Sequence, residues 1–189
     1  MMPNRSSLIS ITLLPLLLGS YSTASALDLT SGTFYVGGGI GASWLDPETD
    51  GTLYSVSDDQ DFAWHLLGGY RINENFSVEL AYTDLGKADI QYSSLGTDAG
   101  EISYRHTTLG VLWSPTTQFN FRPYFKGGLN YSDNSWNRGD VIYDDWGGFV
   151  GFGLERFFAD DDYSVRAEYT FYADDAEALN LSIVKYFND

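Results

Sequence analysis

The chain of 189 residues contains no cysteine, so no disulfide can stabilise it. Basic residues are scarce: ten Lys and Arg stand against 26 Asp and Glu, a net charge of −16. That balance excludes nucleic-acid binding, whose affinity comes from cations on phosphate. A long apolar run is missing too. The run from Leu8 to Leu18 has eleven residues, against the roughly 17 to 25 that an anchored helix needs. After residue 26 no segment carries a 3.6-residue apolar stripe, and Gly, Asn and Asp recur too often for any helix beyond two turns. Histidine is limited to His65 and His106.

What is present begins with Arg5, the apolar run and the small-residue site Ala24-Ser25-Ala26, the layout of a secretory signal peptide. Residues 1–26 are expected to be cleaved, leaving 27–189 as one domain with net charge −17 once Arg5 is lost. Without disulfides, that exported domain must rest on a core, a metal or a membrane. Aromatics at 16% and 20 glycines suit a sheet with bulky residues on one face and close packing on the other, not disorder.

The repeating unit is a strand of ten to fourteen residues. Eight are predicted, over 33–45, 61–72, 76–85, 101–113, 119–132, 145–158, 163–174 and 177–187. Long connections (46–60, 86–100, 133–144) alternate with short ones (73–75, 114–118, 159–162). Consecutive antiparallel strands then put the long connections at one end and the short ones at the other, an up-and-down meander.

The faces decide what kind. In the first strand Phe34, Val36, Ile40, Ala42 and Trp44 oppose Tyr35, Gly37, Gly39, Gly41 and Ser43; in the seventh Val165, Ala167, Tyr169 and Phe171 oppose Arg166, Glu168 and Thr170. A soluble ligand-carrying barrel would turn its polar face to water and fill it with Lys, Glu and Thr. Here that face stacks glycines, Gly37, Gly39, Gly41, Gly69, Gly128, Gly151 and Gly153, as in the crowded interior of an eight-stranded barrel. Ten residues at about 3.3 Å, tilted about 40°, span roughly 25 Å, the height of a lipid-facing band. Trp44, Trp64, Trp113 and Trp146 fall near strand ends, where aromatic girdles meet headgroups. The fold class is therefore an all-β, eight-stranded antiparallel transmembrane barrel. In 101–113 the phase breaks: Ile102 and Tyr104 lie on one parity, Leu109, Val111 and Trp113 on the other. A bulge or an extension beyond the membrane is expected there, and Arg105 and His106 receive no face.

The segments FYVGGGIGASW, LLGGYRINENFSVELAYTDLG, RPYFKGGLNY, GFGLERFF and YSVRAEYTFY resemble the outer-membrane protein A-like eight-stranded barrel family of Gram-negative bacteria, from Thr33 to Phe187. The resemblance implies an outer-membrane location, contact with outer-membrane lipids and lipopolysaccharide, insertion by the barrel-assembly machinery, and periplasmic N- and C-termini. It also implies that LSIVKYF is a C-terminal insertion signal with Phe187 as the terminal aromatic. A monomer is expected.

The inward charges are Glu79, Glu155 and Glu168 against Arg71, Arg122, Lys126 and Arg166. Buried charges must pair, so an ion-pair network filling the lumen is expected, with Glu79 partnered by Arg71, Lys126 or Arg166. Neither histidine sits in a catalytic motif, and His65 is expected to pack or hydrogen-bond inside. DPETDG at 46–51 has calcium-loop spacing at its start but Ser57 at the twelfth position, where a bidentate Glu is needed. GGGIGA at 37–42 lies within a strand with no helix after it, so its glycines read as lumen packing, not as a dinucleotide fingerprint.

Seventeen acids crowd the long-loop end: Asp46, Glu48, Asp50, Asp58, Asp59, Asp61, Asp84, Asp89, Asp98, Glu101, Asp133, Asp140, Asp144, Asp145, Asp174, Asp175 and Glu177. They read as a solvated surface, with divalent cations as the alternative occupant; no other cofactor and no catalytic or metal residue is expected. The function expected is non-enzymatic, in envelope integrity or surface interaction. The alternatives are a small channel or transporter for ions or hydrophobic compounds and, behind it, a lipid A-modifying enzyme.

Overall fold

The computed structural model describes residues 32–45, 54–92, 98–115, 121–136, 142–158, 161–173 and 175–187. The expected signal peptide, the DPETDG loop and residues 116–120 and 159–160 lie outside them. Nine strands run in order: β1 (Thr33–Leu45), β2 (Tyr54–Asp58), β3 (Gln60–Arg71), β4 (Phe76–Tyr92), β5 (Asp98–Trp113), β6 (Arg122–Trp136), β7 (Ile142–Phe158), β8 (Tyr163–Tyr172) and β9 (Ala176–Phe187). β2 and β3 are one barrel strand interrupted at Asp59, so the barrel has eight staves. Each pairs antiparallel with its sequence neighbour, and β1 pairs with β9 to close the cylinder. Closure leaves no edge within the span, the condition for a sheet surrounded by a solvent that offers no hydrogen bonds.

One end of the barrel holds the start of β1, the finish of β9 and the short connections, and is called the turn end. The other is the loop end. At the turn end Asn73 Oδ1 accepts from the backbone N–H groups of Asn75 and Phe76, both at 2.9 Å, which fixes the β3–β4 hairpin where sequence placed it. Phe34, Val36, Ile40, Phe76, Leu80, Leu109, Val111, Phe125, Leu129, Val150 and Phe152 are exposed on the outer wall. Trp113 stacks on Phe125 at the turn end, while Trp44 stacks on Tyr169 and Trp64 leans on Tyr82 nearer the loop end. The wall between these aromatic rows is apolar.

Several strands run further than the alternation suggested. β4 continues to Tyr92 rather than ending at residue 85, pairs there with β2 and β5, and shortens the expected connection 86–100 to 93–97. The continuation passes through a bulge between Asp84 and Gly86, where Gly86 adopts φ +79° and the carboxylate of Asp61 lies against it. Leu85 still follows the inward odd positions Ser77 to Thr83, but after the bulge the inward parity is even, so Ala88 is buried as well and the alternation read from sequence is broken there. β5 is irregular only at its start, where the register slips between Asp98 and Gly100; no bulge interrupts it from Gly100 to Trp113. From Gly100 on its even-numbered residues face inward, and Tyr104, with Ile102 behind it, joins Leu45, Ala63, Leu85, Ala88, Phe149, Tyr172, Ala176 and Ala178 in an apolar cluster filling the loop-end lumen. The apparent phase break is thus an apolar interior plus an extension beyond the girdle. The interior therefore holds packed apolar side chains beside the expected glycines and charges.

Glycines on the inner wall make room for rings. A Cβ on Gly69 would lie 2.2 Å from the Tyr35 ring, and one on Gly153 2.5 Å from Tyr124. The outward neighbour Gly68 has nothing nearer than 3.9 Å. Gly69→Ala is therefore expected to lower the stability of the refolded barrel by about 1–3 kcal/mol through overpacking, while Gly68→Ala stays within about 0.5 kcal/mol. Urea unfolding of the two variants side by side measures the difference.

Candidate functional site

Alternation along antiparallel strands delivers seven charged side chains into one lumen. Glu155 and Arg166 are ladder partners on β7 and β8, and Arg122 on β6 faces Glu155 from the other side. Glu79 comes from β4, Lys126 from β6 and Glu168 from β8; all seven charged residues, Arg71 included, are buried or nearly so.

Arg166 is the hub. Its Nη1 donates to Glu79 at 2.7 Å, its Nε to Glu155 at 2.8 Å and its Nη2 to the Tyr186 hydroxyl at 2.7 Å. The guanidinium lies over the rings of Tyr35 and Tyr124, 4.9 and 5.5 Å from their centroids. Lys126 meets Glu168 at 2.6 Å and Glu79 at 3.9 Å. Hydroxyls use the remaining carboxylate lone pairs: Tyr35 donates to Glu79, Tyr124 and Thr170 to Glu168, and Ser164 and Tyr186 to Glu155. Of the three partners expected for Glu79, Arg166 and Lys126 reach it. Arg71 does not; its guanidinium rests on the rings of Tyr186 and Phe157. Arg122 donates to the main-chain oxygen of Glu74. Alternation places Tyr35 on the inner face but gives it no role, while Tyr124 and Tyr186 are not singled out by the sequence, although both share the parity of the inward glycines and charges.

His65 faces the lumen, with Nε2 2.8 Å from the Ser182 hydroxyl. Nδ1 has no hydrogen-bond partner among the described residues, so no acid orients this dyad, and both residues are buried. His106, given no face by the sequence, is fully buried and meets Tyr172 edge-on at 4.3 Å. Arg105 faces outward, 3.9 Å from Asp84. Phe187 is exposed at the turn end of β9.

Of the seventeen loop-end acids, Asp46, Glu48, Asp50, Asp140 and Asp174 lie outside the described residues, and the side chains of Asp58, Asp98 and Asp144 are likewise outside them. Several of the others serve the backbone: Asp61 accepts from the N–H of Phe62 and of Lys87, both at 2.7 Å, and Asp145 from that of Trp146. Asp89 sits directly opposite Glu101 across the β4–β5 ladder, and Lys87 bridges to Glu101 at 2.7 Å. That hydrogen bond, with the charge behind it, raises the Lys87 pKa above its usual value. Among the described residues no three His, Cys, Asp or Glu converge as a metal site.

The model of the outer membrane protein beta-barrel domain matches residues 11–184. The chain belongs to that family. A search of curated proteins finds no significant match. Among solved structures, this outer-membrane barrel is similar to OprG from Pseudomonas aeruginosa (16% identity, 84% of this chain and 97% of that one, TM-score 0.63). It is also similar to the N-terminal β-barrel domain of OprF from the same organism (14%, 83% and 98%, 0.55) and to Ail, the attachment invasion locus protein of Yersinia pestis (14%, 84% and 100%, 0.54). At such identities the likeness shows the fold.

Removing one member of a buried ion pair strands the other in low dielectric and costs about 3–5 kcal/mol. Arg166→Met is expected to cost at least that much, since it strands Glu79 and Glu155 together, and Lys126→Met to destabilise through Glu168. Heat-dependent gel mobility and urea midpoints report both. Midpoints unchanged in both variants would mean that the lumen charges are not coupled.

Proposed function

We propose that this outer-membrane barrel is non-enzymatic and acts in envelope integrity or surface interaction through its acidic loop end. The turn end and both chain termini then lie in the periplasm, and the long connections face outward. The observation that carries the reading is the filled lumen: the Arg166–Glu79–Lys126–Glu168 network lies across the turn-end half, and the Tyr104–Phe149–Tyr172 cluster packs the loop-end half. Water or solute passing along the axis would have to disrupt both. Catalysis has little support, because His65 and Ser182 lie inside the wall, away from lipid, without an orienting acid. What remains accessible is the loop-end surface, where Asp89, Glu101, Asp133 and Asp145 outnumber the basic residues beside them, Lys87 on Glu101 and Arg105 opposite Asp133. Such a field favours cationic partners, or phosphate-bearing ones only through bridging cations.

The test is a deletion strain assayed for detergent sensitivity, surface adhesion and lipid A composition, with purified barrel in planar bilayers. The expected result is a change in detergent sensitivity or adhesion, unaltered lipid A and background conductance. Conductance well above background would replace this reading with a pore. A lipid A mass change that is lost in His65→Ala would replace it with an enzyme.

A further inference from the structure

The lumen's charges are unevenly distributed along its axis. Four cations face three carboxylates, and the carboxylates are engaged: Glu79 by Arg166 and Lys126, Glu168 by Lys126, Glu155 by Arg166, Ser164 and Tyr186. Arg71 and Arg122, both at the turn end, make no direct ion pair among the described residues and share only the field of Glu155, which Arg166 already engages. Arg71 is 2% exposed, yet its Nε has no acceptor and no ion pair among the described residues includes it. Its guanidinium carbon lies 4.6 Å from the centroid of Tyr186 and 5.5 Å from that of Phe157. Arg122, 5% exposed, spends a donor on the Glu74 carbonyl oxygen and feels the like charge of Arg71.

Ring faces return about 0.5–2 kcal/mol to a buried cation, whereas burying the charge costs several kcal/mol. Five N–H donors in a planar fork also match an oxyanion better than any other partner. We propose that Arg71 and Arg122 form a binding site for a small oxyanion, phosphate or carboxylate, at the turn end of the lumen. Tyr186 and Phe157 hold the fork of Arg71 in plane, and the Glu155–Arg166 pair above closes the depth. The site takes a free ion entering along the axis, because the barrel wall separates it from lipid headgroups.

The folded barrel in a phosphate-free detergent is titrated with inorganic phosphate, and separately with acetate, at constant ionic strength. The resonance of the Arg71 Nε–H and the unfolding equilibrium in urea are followed. The expected result is a saturable shift of that resonance with at least one of the two anions. With it, the unfolding constant falls roughly tenfold when the anion reaches about ten times its dissociation constant. Arg71→Met should abolish the anion-dependent stabilisation, and Arg156→Met, on the outer wall, should keep it. No saturable shift with either anion overturns the proposal, as does equal stabilisation of the parent and Arg71→Met, which is the general effect of excluded salts. If Arg71→Met fails to fold, the resonance in the parent chain decides alone.

Discussion

A barrel of eight strands in lipid can hide charge nowhere except in its own interior, and that interior is only as wide as the side chains that fill it. Every inward charge must therefore be neutralised by another inward group within reach, across the axis or along the wall. Arg166 carries most of this requirement. It joins β8 to Glu79 on β4, Glu155 on β7 and Tyr186 on β9, so strands far apart around the circumference are tied through the centre. The inner glycines follow from the same crowding. Gly69 and Gly153 lie under Tyr35 and Tyr124, and those two rings in turn cover the Arg166 guanidinium.

The lumen has two halves of different chemistry. Toward the turn end an ion-pair network saturated by tyrosine, serine and threonine hydroxyls lies beside a smaller apolar cluster of Leu67, Ala81, Val184 and Phe157; toward the loop end the lumen is a packed cluster around Tyr104, Phe149 and Tyr172. His65, Ser182 and Asn180 lie in the neutral polar zone between the charged network and that cluster. A buried ion pair is often no more stabilising than apolar residues of equal volume. The apolar half shows that this chain can fill a lumen with hydrocarbon, so the charged half is not forced by fold stability. The surplus positive charge on Arg71 and Arg122 belongs to that same half.

Much of this was legible from alternation. The bounds of β1, the Asn73 hairpin, the outward aromatic rows and the inward glycines and charges follow from a period of two combined with residue size, because the two sides of a barrel wall meet such different surroundings. The β4 extension was illegible because the bulge at Leu85–Gly86 exchanges the faces, and Gly-Lys-Ala-Asp reads as a loop. Ile102 and Tyr104 misled for a related reason. Sequence assigns apolar residues to lipid, but once a strand passes the girdle its outer face meets water and its apolar face turns inward.

The sequence by itself determined the number of staves, their direction and, wherever the alternation is regular, which side chains face inward, because pleating and connection length are local. Only the tertiary structure decided who meets whom inside. Glu79 and Arg166 are 87 residues apart, and no spacing rule predicts that closure brings them to 2.7 Å while leaving Arg71 against two aromatic rings. Shear and tilt set the height of each inward residue along the axis. Those quantities are properties of the closed cylinder, fixed only when β1 meets β9.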